Sequence, residues 1–381
     1  MELYYFNYTR HRADGWWDRR SFIHKWWRLH AQDSRWAPPY YPLLWRALAA
    51  PSASDQAMAE SSISAPLLLH LEALPRRRRP QQEPGSPHFS GALMEEMVAA
   101  TALFASPQRA PGIARLGLLH SVNHIEPLER LLGELSELLW TMDCRRVIGP
   151  TAVTPYLPAG ALENYFHVTP PLHTPYNPPY LPELLASLLE PVQQTTLFHL
   201  PAPAEAPPVA GPAQLAPFDP ERLGNDLAPL FAAACVIPPG LPPPVEAEIG
   251  ALLPWLQLWP LYGWLATMNG APAGFVLVQP DLAPSIRLAR GGRNWAWRLW
   301  LRWRKTRPVR AGRLVFGAVL PAWRGQGIGR QLWRQALATG VALGWRALTI
   351  GPLIDDSPGY RFLIAQGAKP QQRYTLYGGE L

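Results

Sequence analysis

The stretch Val319-Leu320-Pro321-Ala322-Trp323-Arg324-Gly325-Gln326-Gly327-Ile328-Gly329-Arg330-Gln331-Leu332 runs from an apolar strand, through a turn with three glycines, directly into a helical pattern. Backbone N–H groups in such a turn, together with the positive end of the helix that follows, form a cradle for an anion, and glycine is needed wherever a side chain would block phosphate. A diphosphate-bearing ligand is the expectation for Arg324, Gly325, Gln326, Gly327, Ile328, Gly329 and Arg330. No Gly-Lys-Ser/Thr follows, so the spacing is not that of a Walker loop. A second βαβ unit with a ribose-binding acid is also missing, which disfavours a dinucleotide site.

Working outward, residues 313–320 read as the strand feeding the loop, and residues 330–343 as a helix with Leu332, Trp333, Ala336, Leu337, Val341 and Leu343 on its apolar side, ended by Gly344. Ala347-Leu348-Thr349-Ile350 is a further buried strand, 358–365 a short helix and 373–377 a last strand. Upstream, 261–268 and 273–279 flank Asn269-Gly270-Ala271-Pro272 in the manner of a β-hairpin. Asp219 and Pro220 open a helix expected over 220–234.

The Pro-rich run 201–217 punctuates the chain and divides it into residues 1–200 and 218–381. A length of 381 residues suits two cores better than one. The first half repeats the order of the second: 64–73 and 91–104 as a hairpin around Arg76-Arg77-Arg78-Arg79, then a strand at 113–122, a helix at 126–142, a strand at 146–149 and a helix at 181–189. Where the second half has its glycine loop, the first has His120-Ser121-Val122-Asn123-His124-Ile125-Glu126, without glycine, so no coenzyme is expected there.

Arg-x-x-Gly-x-Gly preceded by Val-x-Pro-x-Trp resembles the acetyl-coenzyme A signature of the GNAT superfamily of N-acetyltransferases. The likeness spans about 212–381, and Ala365-Gln366-Gly367-Ala368 sits where that family has a Leu-Gly-Phe turn. Asp33-Ser34-Arg35-Trp36-Ala37-Pro38-Pro39, Pro175-Tyr176-Asn177-Pro178-Pro179-Tyr180 and 275–281 extend it to bacterial tandem GNAT-like proteins. The resemblance implies an α/β (α+β) chain of two tandem GNAT-like domains, each a central mixed, mostly antiparallel sheet flanked by helices, the first degenerate. It implies acetyl-CoA or a longer acyl-CoA as donor and, as acceptor, an amine-bearing small molecule or a Lys/ornithine-type peptide side chain. It also implies that the amide of Val319, with Leu320 adjacent, receives the acyl carbonyl.

Many GNAT enzymes keep an acidic Tyr where this chain has Leu363. Tyr360, one turn earlier, is the best substitute, with Tyr374 and Tyr377 behind it, and Asp355 and Asp356 are candidates to orient an ammonium or take its proton, or else to cap the helix. The missing Tyr leaves open a non-catalytic acyl-CoA sensor or scaffold.

The net charge of +7 owes much to the four arginines at 76–79, which read as a solvated loop, and no nucleic-acid motif accompanies them. Two cysteines far apart give neither a disulfide framework nor a metal site. His120 with His124, and His167 with His173, lack carboxylate partners and read as structural. The greasy run 251–268 is broken by Pro254, Gln257, Pro260 and Gly263, so it is a helix end plus a strand and no transmembrane segment; a cytoplasmic protein is expected. Residues 293–305, rich in Trp and Arg, form an insertion with basic 298, 302 and 305 on one side of a helix. It reads as a helix laid on the domain, or as a surface for an acyl-carrier protein or a membrane, or as a wall for a long acyl chain. The loop 166–180 is expected to roof the substrate cleft.

Overall fold

The computed structural model describes residues 5–12, 15–30, 33, 35–49, 66–74, 96–106, 109–218 and 228–381. The arginine block 76–79, Ser34, and the Asp219–Pro220 helix start lie outside them. In chain order the elements are β1 (Tyr5–Arg12), α1 (Trp16–His30), α2 (Tyr41–Ala47), β2 (Leu67–Leu74), β3 (Glu96–Ala105), β4 (Ile113–Ser121), α3 (Ile125–Thr141), β5 (Arg146–Thr151), β6 (Ala161–Leu162), α4 (Leu181–Ala186) and β7 (Glu190–Pro201). The second half follows as β8 (Gln214–Pro217), α5 (Ala228–Ala234), α6 (Glu246–Gln257), β9 (Tyr262–Met268), β10 (Ala271–Pro280), α7 (Ala283–Leu288), α8 (Trp295–Arg304), β11 (Ala311–Val319), α9 (Ile328–Ala342), β12 (Ala347–Ile354), α10 (Pro358–Ala365) and β13 (Lys369–Glu380).

The halves repeat one another in pairing as well as order. β2–β3–β4 and β9–β10–β11 are antiparallel ladders, and each is closed by a parallel neighbour, β5 beside β4 and β12 beside β11. Ile148-Gly149-Pro150 in β5 answers Ile350-Gly351-Pro352 in β12, and α7–α8 is an insertion without a counterpart.

The two sheets are not separate. Among the described residues the strands form one sheet in the order β1-β2-β3-β4-β5-β13-β7-β12-β11-β10-β9-β8. β7, from the first half, pairs with β12, while the C-terminal β13 pairs with β5 and β7. The last strands of the two halves are thus exchanged. β8 lies inside the Pro-rich stretch 201–217 at the open edge beside β9, a place where Pro217 removes no ladder bond needed on both sides. Gln331 of α9 pins that stretch: its Oε1 accepts from Ala213 N at 3.0 Å and its Nε2 donates to Ala213 O at 2.9 Å.

Alternation along β10 shows how the layers form. Phe275 and Leu277 enter one core with Phe231 of α5, Leu252 and Trp255 of α6, and Phe22, Trp26 and Trp27 of α1, so that helices of both halves share it. Val276 and Val278 enter another, with Leu332, Trp333 and Ala336 of α9. In the first half α3 covers the corresponding face through Leu128, Leu131 and Leu135.

Candidate active site

β11 and β12 pair in parallel only from Ala311↔Ala347 to Leu314↔Ile350. Beyond that point β11 stays with β10, while Leu353 and Ile354 of β12 pair with Thr196 and Thr195 of β7. The strands therefore part, and the gap is a cleft of about 230 Å³ lined by residues 314–319, 350–353, Gly329, Leu332 and Trp333 of α9, and Leu363 of α10. Tyr156-Leu157-Pro158-Ala159 and Gln193 and Thr195 close it from the first half. The cleft wall is mainly apolar, with the backbone, Tyr156, Gln193 and Thr195 as its polar groups.

That backbone is directional. Leu320 N donates to Ala273 O at 2.9 Å, toward β10. Successive amides of a strand face opposite ways, so those of Val319 and Gly317 face the cleft. The amide of Leu320 is already used, which leaves Val319 as the expected donor and adds Gly317, absent from the sequence reading because its side of the strand cannot be read without the register.

At the mouth, Gly325 (φ 79°) and Gly327 (φ 87°) occupy the left-handed region, and Gly327 is the residue from which α9 starts. A Cβ built on either meets nothing within 4 Å; glycine there serves the turn and leaves open space in front of it. The first amides of α9, those of Ile328, Gly329 and Arg330, have no partner one turn earlier in the helix. Arg324 Nε donates back to Val319 O at 3.1 Å and ties the turn to the strand end. Arg324 and Arg330 stand exposed beside these amides, with no acidic residue anywhere between 282 and 354. Donor amides, a helix N-terminus, bare glycines and two guanidinium groups fit a pyrophosphate, and the cleft behind them fits the apolar arm of a coenzyme A thioester.

The matching position in the first half is built differently. His124 caps α3, its Nδ1 accepting from Glu126 N at 3.4 Å, and the Glu126 carboxylate stands in the first turn. Both features oppose an anion there.

The acid–base candidates do not converge on the cleft. Tyr360 turns its ring onto Phe198, with centroids 5.0 Å apart, and is not part of the cleft wall; Leu363 is. The half-buried Tyr360 ring thus packs beside the cleft and does not line it. Asp355 accepts from Thr196 Oγ1 at 2.6 Å and lies 3.8 Å from Arg373 Nε. It follows the cleft wall at Leu353 but does not line the cleft. Asp356 is exposed at a turn position (φ 59°). Neither caps α10, because Ser357 Oγ accepts from Tyr360 N at 3.2 Å.

The phenol that does reach the cleft is Tyr156, which the sequence reading missed because it belongs to the other half. Its hydroxyl donates to Glu248 Oε2 at 2.8 Å, and the same oxygen receives Arg109 at 3.0 Å. Burial, reinforced by that carboxylate, holds the Tyr156 phenol far above its usual range. It is a hydrogen-bond donor rather than an acid. Cys235, between the cleft-lining Ala234 and Val236, is pushed up to about 12 by burial, so it offers no thiolate.

A second cavity of about 170 Å³ lies on the other side of Leu157–Pro158. The loop 166–180 lines this one, through Pro171–Asn177, and not the first cleft; with it stand Trp26, Trp36, Trp255 and Trp259. The fully buried Arg313 braces the two regions, donating to Leu172 O and, at 2.9 Å, to Gly351 O. Burial brings Arg313 down to about 10 despite the neighbouring Asp281.

Two halves of like strand order joined in one sheet, with a parallel strand pair that splays in the second half and a glycine cradle at that splay, define a tandem N-acetyltransferase-type fold. Residues 232–363 match the family model described as acetyltransferase (GNAT) family. Among solved structures, a tandem GNAT protein from the clavulanic acid biosynthesis pathway is 14% identical, with a TM-score of 0.55 over 99% of this chain and 98% of that one. A conserved protein of Enterococcus faecalis V583, described as a probable N-acyltransferase, is 8% identical, with a TM-score of 0.53 over 99% of this chain and 73% of that one. At these identities the likeness is one of fold. No curated protein matches by sequence.

Proposed function

We propose that the protein is a coenzyme A-dependent N-acyltransferase that uses the cleft between β11 and β12. The observation that carries this reading is the continuity of the site: the Gly325–Gly327 cradle opens at the end of the same strand whose Gly317 and Val319 amides face the gap. The amides of Ile328, Gly329 and Arg330 would hold the pyrophosphate, with Arg324 and Arg330 balancing its charge, and residues 315–319 would align the apolar arm. The cofactor supplies an activated thioester. The chain contributes two fixed amides that polarise the acyl carbonyl and a cleft whose apolar walls strengthen those dipoles by excluding water. Asp355 and Asp356, just past the cleft wall, would draw in the ammonium of a primary amine. Protons would move through solvent at the mouth, since Tyr360 packs on Phe198 away from the cleft wall and burial keeps the Tyr156 phenol protonated.

The buried Leu363 in the wall favours one other reading, an acyl-CoA binder without turnover. Free-thiol release on mixing the protein with acetyl-CoA or longer acyl-CoA and a panel of primary amines separates the two. Thiol release that depends on the amine supports transfer. Micromolar cofactor binding with no release for any amine sinks the enzyme reading and leaves the binder.

A further inference from the structure

From residue 282 to 354 the chain carries 14 Lys and Arg and no Asp or Glu, although the whole protein has a net charge of only +7. Nine of these cations fall between 287 and 310, around the insertion α7–α8. α8 has two apolar faces. Trp297, Trp300 and Leu301 turn inward onto Leu172, Trp259, Leu282 and Ile286, and secure the helix to the body. Trp295, Leu299 and Trp303, at i, i+4 and i+8, turn outward and are 76, 57 and 51% exposed. Leu288, at the end of α7, is also exposed.

A helix whose inner face is already packed needs no second apolar row, and in water such a row is unfavourable. Cations border it: Arg302 and Lys305 are exposed, and the Arg307 guanidinium sits 4.9 Å from the Trp303 ring centroid. The surface continues onto the first half. Arg293 Nη2 donates to His24 Nδ1 of α1 at 2.5 Å, and one turn earlier Arg20 lies over the exposed rings of Trp16 and Trp17. No described helix is long and apolar enough to cross a membrane, so attachment through this face is peripheral.

We propose that the outer face of α8, with the adjoining end of α1, docks the protein on an anionic phospholipid surface. The Trp and Leu row enters the headgroup boundary, and the arginines pair with lipid phosphates. Charge alone would equally suit an acidic protein such as an acyl-carrier protein, but that occupant leaves Trp295, Leu299 and Trp303 without a role, whereas a bilayer engages both rows.

The test is co-sedimentation of the full chain with vesicles of equimolar phosphatidylglycerol and phosphatidylcholine, against pure phosphatidylcholine, at low salt and at about 0.5 M salt. The expected result is pelleting on anionic vesicles, weakened roughly tenfold by neutral lipid or by high salt. Trp295→Ser/Leu299→Ser/Trp303→Ser, all at exposed positions, is expected to lose roughly tenfold or more in vesicle binding while keeping its Tm and its coenzyme A affinity. Arg302→Glu/Lys305→Glu is expected to do the same. No pelleting, or equal pelleting by the triple variant, overturns the proposal. So does a triple-variant effect confined to self-association in light scattering, or to capture of an acidic acyl-carrier protein, with vesicles left bare.

Discussion

Gly327→Ala separates what the glycine cradle does for folding from what it does for the ligand. Gly327 sits at φ 87°, ψ −6°, at the start of α9. A residue with a Cβ resists that conformation by about 1–2 kcal/mol, partly offset by about 0.4–1 kcal/mol from a stiffer unfolded chain. No atom lies within 4 Å of the added methyl, so steric clash adds nothing and the net loss is about 1 kcal/mol. At about 2.1 cal/mol/K of unfolding entropy per residue, that corresponds to a fall in Tm of only about 1 °C for a chain of 381 residues unfolding as one unit. The ligand responds more. The methyl would stand in the open space before the first amides of α9, and one hydrogen bond lost to a charged phosphate is about 1.5–3 kcal/mol, or roughly 10- to 100-fold in Kd. Gly344, at the other end of the same helix, has φ 72° and equally open surroundings, so Gly344→Ala carries the same strain without touching the cradle. Scanning fluorimetry and titration calorimetry with coenzyme A on both variants are the assay. Equal drops in Tm with a Kd effect confined to Gly327→Ala is the expected pair. A Kd within twofold of wild type for Gly327→Ala refutes the cradle.

Arg313→Ala strips two carbonyls and Asp281 of a buried cation; about 3–5 kcal/mol of destabilisation is expected in urea unfolding. Tyr360→Phe is expected to leave kcat and its pH profile within twofold of wild type, because the ring packs on Phe198; a tenfold fall in kcat would restore the phenol as the acid. Burial holds His120 at about 4, His173 at about 3 and His30 well below 6.5, so the unfolded chain binds more protons than the folded one below pH 6.5. Stability is then complete above pH 6.5 and falls as pH drops toward 4, by roughly 1.4 kcal/mol per pH unit for each ring. His120→Phe should make that slope shallower in pH-dependent melting, and an unchanged slope would remove His120 from the account.

Much of this was legible in the sequence because local rules and tertiary placement agree. The glycine loop, the strand before it and the helix after it are local grammar, and the parallel repeat of hairpin, strand and helix in the first half is the same grammar with the glycines lost. β7 was not legible. Glu190–Pro201 has no clean apolar alternation, since it lies between β12 and β13 with neighbours on both sides and crosses from one half to the other. Missing it also hid the exchange of last strands. Ile148-Gly149-Pro150 and Ile350-Gly351-Pro352 were the unread signal of equivalent strands, each irregular at its Gly-Pro. Tyr156 escaped because cleft residues supplied by the opposite half follow no spacing rule, and the packing of Tyr360 on Phe198 follows from a tertiary contact that spacing on α10 does not encode.

The exchanged strands also set a timetable for synthesis. β5 cannot gain its neighbour β13 until residues 369–380 have left the ribosome, so the first half, finished some 170 residues earlier, waits with an unpaired edge of Val147 and Ile148. The chain is thus most prone to aggregate during its own translation, and neither half can be moved, duplicated or lost on its own without opening the other's sheet. Two halves of like order are, through one reciprocal exchange of strands, a single heritable unit.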